Sequence, residues 1–69
     1  MRRSEDRIIR IREVQHRTGL HRSAIYRKIA EGTFPRQIQL GRNSSGWYES
    51  DVGEWVANPM GWQAPAEAA

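Results

Sequence analysis

The run Val14-Gln15-His16-Arg17-Thr18-Gly19-Leu20-His21-Arg22-Ser23-Ala24-Ile25-Tyr26-Arg27-Lys28-Ile29 joins two helical patterns through one glycine. Glycine tolerates the left-handed backbone that ends a helix, so Gly19 reads as the stop of the first pattern. The second covers residues 22–31. Ile25 and Ile29, four apart, mark its buried stripe, with Leu20 and Ala24 at the edge. Gly32 is a second glycine stop, and Phe34-Pro35 prevents any continuation. Two short helices joined by a glycine turn make a helix-turn-helix pattern. At 100° per residue, Ser23 and Arg27 lie furthest from the buried stripe of the second helix, flanked by Arg22 and Tyr26. A charged stripe is ordinarily a solvated face. On the second helix of this motif the same stripe has the chemistry for a major groove: Arg pairs with guanine edges, and Ser or Tyr bonds phosphate.

Working outward, residues 1–7 are polar and read as a flexible arm. Ile8, Ile9 and Ile11 form a β-branched cluster that predicts a brief strand, and Arg12 to Thr18 predict a helix carrying one buried residue, Val14. Downstream, Gln37-Ile38-Gln39-Leu40 alternates as a half-buried strand does. Residues 41–46 have loop composition, and Trp47-Tyr48-Glu49 resumes strand character. The two strands predict a hairpin, or wing, that sets Arg42 and Asn43 at its tip, against the DNA backbone or minor groove. Lys28 is assigned to phosphate. Ser50 is the expected N-cap of a third helix, with Val52, Trp55 and Val56 on its apolar face and Asn58-Pro59 ending it. Trp47 and Trp55 are expected in the core. Residues 59–69 are rich in Pro and Ala and read as a disordered tail, with Trp62 exposed in it. The expected fold is therefore α+β: a small winged helix-turn-helix at residues 8–58, with three short helices and an antiparallel hairpin.

Bulk properties narrow the function. The 69 residues allow one small domain, and the absence of Cys excludes a disulfide framework or a thiolate metal site. No apolar run reaches the roughly 18 residues a membrane span needs, so a soluble, cytoplasmic protein is expected. Residues 1–43 carry all 11 basic residues and four acids, a balance of +7, whereas residues 44–69 carry four acids and no base. Ten of the 11 bases are Arg, whose planar fork suits phosphate and guanine. Such segregation is the footprint of a nucleic-acid binder. His16 and His21 are separated by the helix break and do not share a face as metal ligands would. With no Ser/His/Asp arrangement, phosphate-cradling loop or paired carboxylates, neither an enzyme nor a cofactor is expected.

Several blocks, in order, resemble the AlpA-like phage regulators: Ile8 to Val14, Arg17 to Arg27, Gly32-Thr33-Phe34-Pro35, Leu40-Gly41, Gly46-Trp47, Ser50-Asp51-Val52 and Trp55-Val56. That family is related in fold to MerR-like and excisionase winged helices. The resemblance spans residues 8–56 and implies a helix near 22–31 that reads duplex DNA. It further implies control of a prophage or mobile element, by activating a promoter or by bending DNA at an attachment site to assist excision. Two positions depart from the family's pattern: His21 stands where Ser or Thr usually caps the reading helix, and Gly53 where a helix former is usual. Double-stranded DNA is the expected partner, with a second copy of the chain on repeated sites, integrase or RNA polymerase as further candidates. The expected function is sequence-specific duplex DNA binding by a phage or prophage-type transcription regulator; the alternatives are an excision factor that bends DNA and a small interaction adaptor using the acidic half and Trp62.

Overall fold

Residues 5–65 are described by the computed structural model; residues 1–4 of the expected arm and 66–69 of the expected tail lie outside them. Chain order is β1 (Ile8–Ile9), α1 (Ile11–Thr18), α2 (Arg22–Glu31), β2 (Ile38–Gly41), β3 (Ser44–Tyr48) and α3 (Glu49–Ala57). The three strands form one antiparallel sheet in the order β1-β3-β2. Three helices and this sheet make a small α+β domain with the winged helix-turn-helix arrangement.

Local chemistry accounts for the turn between α1 and α2. Gly19 takes a left-handed φ of 72°, and its N–H donates to the Gln15 carbonyl at 2.8 Å. The Thr18 hydroxyl donates back to the Val14 carbonyl at 2.8 Å and accepts the Leu20 N–H at 3.2 Å. The turn is thereby fixed from both ends. At the far end of α2, Gly32 (φ 79°) donates to the carbonyls of Lys28 and Ile29, and the Thr33 N–H reaches the Lys28 carbonyl at 2.9 Å, a Schellman-type stop.

The core is Ile9, Val14, Ile25, Phe34, Trp47, Val52 and Trp55, flanked by Ile11, Leu20, Tyr26, Ile29 and Trp62. Every element except β2 supplies a buried residue. Both expected core indoles are buried, and both work on the connection between α2 and β2. Trp47 Nε1 donates to the Pro35 carbonyl at 3.0 Å, and Trp55 Nε1 to the Thr33 carbonyl at 2.9 Å. Phe34 lies between these bonds in sequence and packs on Trp55 with ring centroids 5.0 Å apart. Burying the backbone here costs little because its carbonyls keep donors.

The fold corrects several local expectations. Ile11 opens α1 rather than extending the first strand. Ser50 is not the N-cap of α3: the helix starts at Glu49 after Tyr48, which offers no side-chain cap. Asp6 caps it from a distance, accepting the Ser50 N–H at 3.2 Å and the Ser50 hydroxyl, while the Arg7 carbonyl accepts the Glu49 N–H at 2.8 Å. Asp6 and Arg7 are thus anchored, unlike a free arm. Glu49 belongs to α3 and not to a strand, and α3 runs unbroken through Gly53. Leu40 is 42% exposed because β2 is an edge strand that projects beyond the core.

Trp62 is the largest correction. It is half-buried and packs against the core, not exposed in a tail. Its N–H donates to the Asn58 carbonyl at 3.0 Å, and two residues later the Ala64 N–H donates to the Gly32 carbonyl at 2.9 Å. The chain after α3 therefore closes over the end of α2. Burial of roughly half an indole is worth about 1–2 kcal/mol, so Trp62→Ala is expected to lower the melting temperature by roughly 5–10 °C. A thermal melt superposable on the parent's would show that this contact holds nothing.

Candidate nucleic-acid interface

Helix α2 buries Ile25 and leaves Arg22, Ser23, Arg27, Ala30 and Glu31 exposed. The outward row is Ser23, Arg27 and Ala30, the last a residue that sequence reasoning missed because Ala gives no polar signal. A small side chain at that position permits close approach, and its methyl suits contact with a thymine methyl. An α-helix with its side chains is about 10–12 Å across, which fits the major groove, about 12 Å wide.

Tyr26 and Arg22 are brought together. The Arg22 guanidinium lies over the Tyr26 ring, 6.0 Å from its centroid, and the ring tilts against Trp47 at 6.2 Å. Tyr26 is half-buried, so it links the exposed face to the core and holds Arg22 from beneath. Lys28 is set apart from the outward row. It is half-buried on the opposite flank from Tyr26, and its carbonyl serves the stop of the helix.

Arg42 and Asn43 are both exposed and form the whole connection between β2 and β3, because Gly41 already pairs with Ser44. The loop is shorter than residues 41–46, and β3 begins at Ser44. Among the described residues no non-glycine residue has a positive φ, so this tip is not the mirror-image turn common in two-residue hairpins. The ladder is instead irregular between Gln39 and Gly41, and a bulge supplies the needed bend. The Gln39 side-chain amide donates to the Gly41 carbonyl and to the Arg42 carbonyl at 3.3 Å, bracing the tip. Arg10 donates to the Ser45 carbonyl at 2.9 Å lower on the same hairpin. The Gln39 brace is local to the hairpin, whereas the Arg10 support joins residues 35 apart and left no signal in the sequence.

The arginines divide into two groups. Arg17 pairs with Glu13 at 2.8 Å and Glu49 at 2.7 Å, tying α1 to α3, and Arg7 reaches Glu49 at 3.6 Å. The hydrogen bond from Arg17 holds the Glu13 carboxyl below its usual range, against a smaller opposing effect of desolvation, and its bonds to Glu13 and Glu49 raise the Arg17 guanidinium. A depressed carboxyl stabilises the fold above its ordinary titration range and loses that contribution as pH falls through the lowered value. Solvent screens the pair, so the effect is small. Among the described residues, Arg10, Arg12, Arg22, Arg27, Arg36 and Arg42 are exposed and take part in no ion pair. Their charge is available to an anionic partner.

The family model described as prophage CP4-57 regulatory protein (AlpA) matches residues 7–60. The chain is 43% identical over 54 residues to the uncharacterized protein ORF88 of Enterobacteria phage P4, covering 78% of this chain and 61% of that relative. It thus spans about three-fifths of the phage protein's length. It is 36% identical over 61 residues to the DNA-binding transcriptional activator AlpA of Escherichia coli (strain K12), covering 80% of this chain and 87% of that protein. No solved structure matches.

Proposed function

The chain belongs to the prophage CP4-57 regulatory protein (AlpA) family, and from that premise we propose that it binds duplex DNA sequence-specifically and regulates transcription in a phage or prophage, without catalysis. The observation that carries this reading is the outward face of α2: Arg22, Ser23, Arg27 and Ala30 are exposed, and neither arginine is neutralised by an acid. The name of the Escherichia coli relative, a DNA-binding transcriptional activator, favours a transcriptional role over an excision factor or an adaptor. No helix among the described residues is long and apolar enough to cross a membrane.

In this reading α2 lies in the major groove, with Arg27 and Ser23 toward base edges and Arg22, held over Tyr26, toward the flanking backbone. Arg42 and Asn43 meet the backbone or minor groove, and Lys28 meets phosphate. The roles of Arg27 and Arg42 leave different thermodynamic marks. Arg27→Ala should cost about 1–3 kcal/mol on the specific site and much less on random duplex, because base-edge bonds are lost. Arg42→Ala should weaken both duplexes alike and reduce the slope of log K against log salt by about 0.9, the value of one phosphate contact. Binding isotherms over a salt series, on a selected site and on random duplex, measure both effects. Unaltered binding by both folded variants would remove α2 and the wing from the interface.

A further inference from the structure

Beside the start of α2 runs a shallow open groove lined by Arg12, Gln15, His16, Gly19, Leu20 and His21. None of its six lining residues is acidic. Arg12 and His16 are four apart on α1, so they share one face of that helix, and both are exposed. His21 is exposed across the turn. His21 is also the N-cap residue of α2, but its side chain makes no capping bond, and the first turn of α2 contains no acid. Among the described residues Arg12 takes part in no ion pair. Three nitrogen-bearing cations or potential cations therefore converge on an open groove at the edge of the proposed DNA-reading helix.

We propose that Arg12, His16 and His21 form a phosphodiester-binding site on the DNA backbone, which the two imidazoles engage as cations, so that DNA affinity is linked to protons. This rests on the DNA-binding reading and adds a contact to it. Imidazole is the side chain whose ordinary titration lies between pH 5 and 8. Charged groups face the pair from the packed elements, and the His16 charge bears on Glu13. On α1 its charged neighbours are Arg12, Glu13 and Arg17, and the Glu13 carboxylate is already held by Arg17. On α2 the charged neighbour is Arg22. Strand β3, packed against α1, has no charged side chain. On α3, also packed against α1, Glu49 is held by Arg17 and Arg7, and Asp51 also has a partner.

The test uses the full chain and a labelled random-sequence duplex, since phosphate contacts do not depend on sequence. Isotherms are taken over a chloride series at pH 6 and pH 8. Binding is expected to be about tenfold tighter at pH 6, with the salt slope steeper there by about 0.9 for each phosphate gained. In the double variant His16→Gln, His21→Asn both changes should vanish. Tryptophan fluorescence verifies that this surface variant is folded. Arg12→Ala should lower the slope by about 0.9 at both pH values. Equal pH dependence in parent and double variant, as titration of the α-amino group would give, overturns the proposal and leaves the DNA reading standing. No binding at either pH by the folded parent overturns both.

Discussion

Trp47→Ala is expected to leave the domain largely unfolded at room temperature. The indole is fully buried between β3 and the rest of the core, with no exposed surface at all. It packs on Tyr26, which carries the exposed face of α2, and its N–H holds the Pro35 carbonyl. Truncation to Ala removes the ring, leaves a cavity and orphans that carbonyl. Large-to-small changes of this kind cost about 3–5 kcal/mol. The whole stability of a domain this size, at 0.05–0.15 kcal/mol per residue, is about 3–10 kcal/mol, so the loss takes most of it. Near-ultraviolet circular dichroism and amide dispersion in the proton–nitrogen spectrum are the measurements. Trp47→Phe separates two parts of the effect. It refills much of the volume but leaves the Pro35 carbonyl without its donor, for about 1–3 kcal/mol. That variant should fold with a lowered melting temperature. A Trp47→Ala protein with an unchanged melt and a well-dispersed spectrum would contradict the core described above.

Gly46→Val is expected to cost about 3 kcal/mol, the upper end of the usual range for overpacking. Gly46 is buried in the middle of β3, between β1 and β2. A Cβ there would stand 2.7 Å from Ile8 Cγ2, 2.9 Å from the Ile9 carbonyl oxygen and 3.2 Å from Leu40 Cδ1. The side chains of Ile8 and Leu40 are partly exposed and can swing aside. The Ile9 carbonyl cannot, because it belongs to the backbone of β1, whose two residues pair with Trp47 and Tyr48. Relief of the clash therefore displaces β1 and draws Ile9 out of the core. Gly46→Ala meets the same first contact without the branched methyls and should lose less. Hydrogen exchange at residues 8 and 9 together with a thermal melt reports the effect. Protection and melting temperature equal to the parent's in the Val variant would mean that β1 is held from elsewhere, through Asp6 and Arg7.

The helix-turn-helix and its outward face were legible in residues 14–31 because their information is local. Glycine at a left-handed position stops a helix wherever it occurs, and the Gly19 and Gly32 stops fall where the sequence sets them. A four-residue spacing fixes which side chains share a face, so the burial of Ile25 and the exposure of Ser23 and Arg27 follow from sequence alone. Hydrophobic size in a short chain was enough to put Trp47 and Trp55 inside.

What the tertiary structure decided is every feature that depends on residues far apart in the chain meeting. Asp6 rather than Ser50 caps α3 because the chain before β1 runs beside its start, 44 residues away in sequence. Tyr26 joins Arg22 to the core because Trp47 of β3 lies against its ring, a contact between residues 21 apart in the chain. Gly46 reads locally as part of a loop; it is in fact a close approach of two strands that no local rule could anticipate. Trp62 sits among Pro, Gly and Ala, a composition that denotes a mobile tail, yet the end of α2 offers it a place against the core. Sequence periodicity specifies which face of an element is apolar. Which surface covers that face, and which distant donor meets a given carbonyl, is settled only when the whole chain has packed.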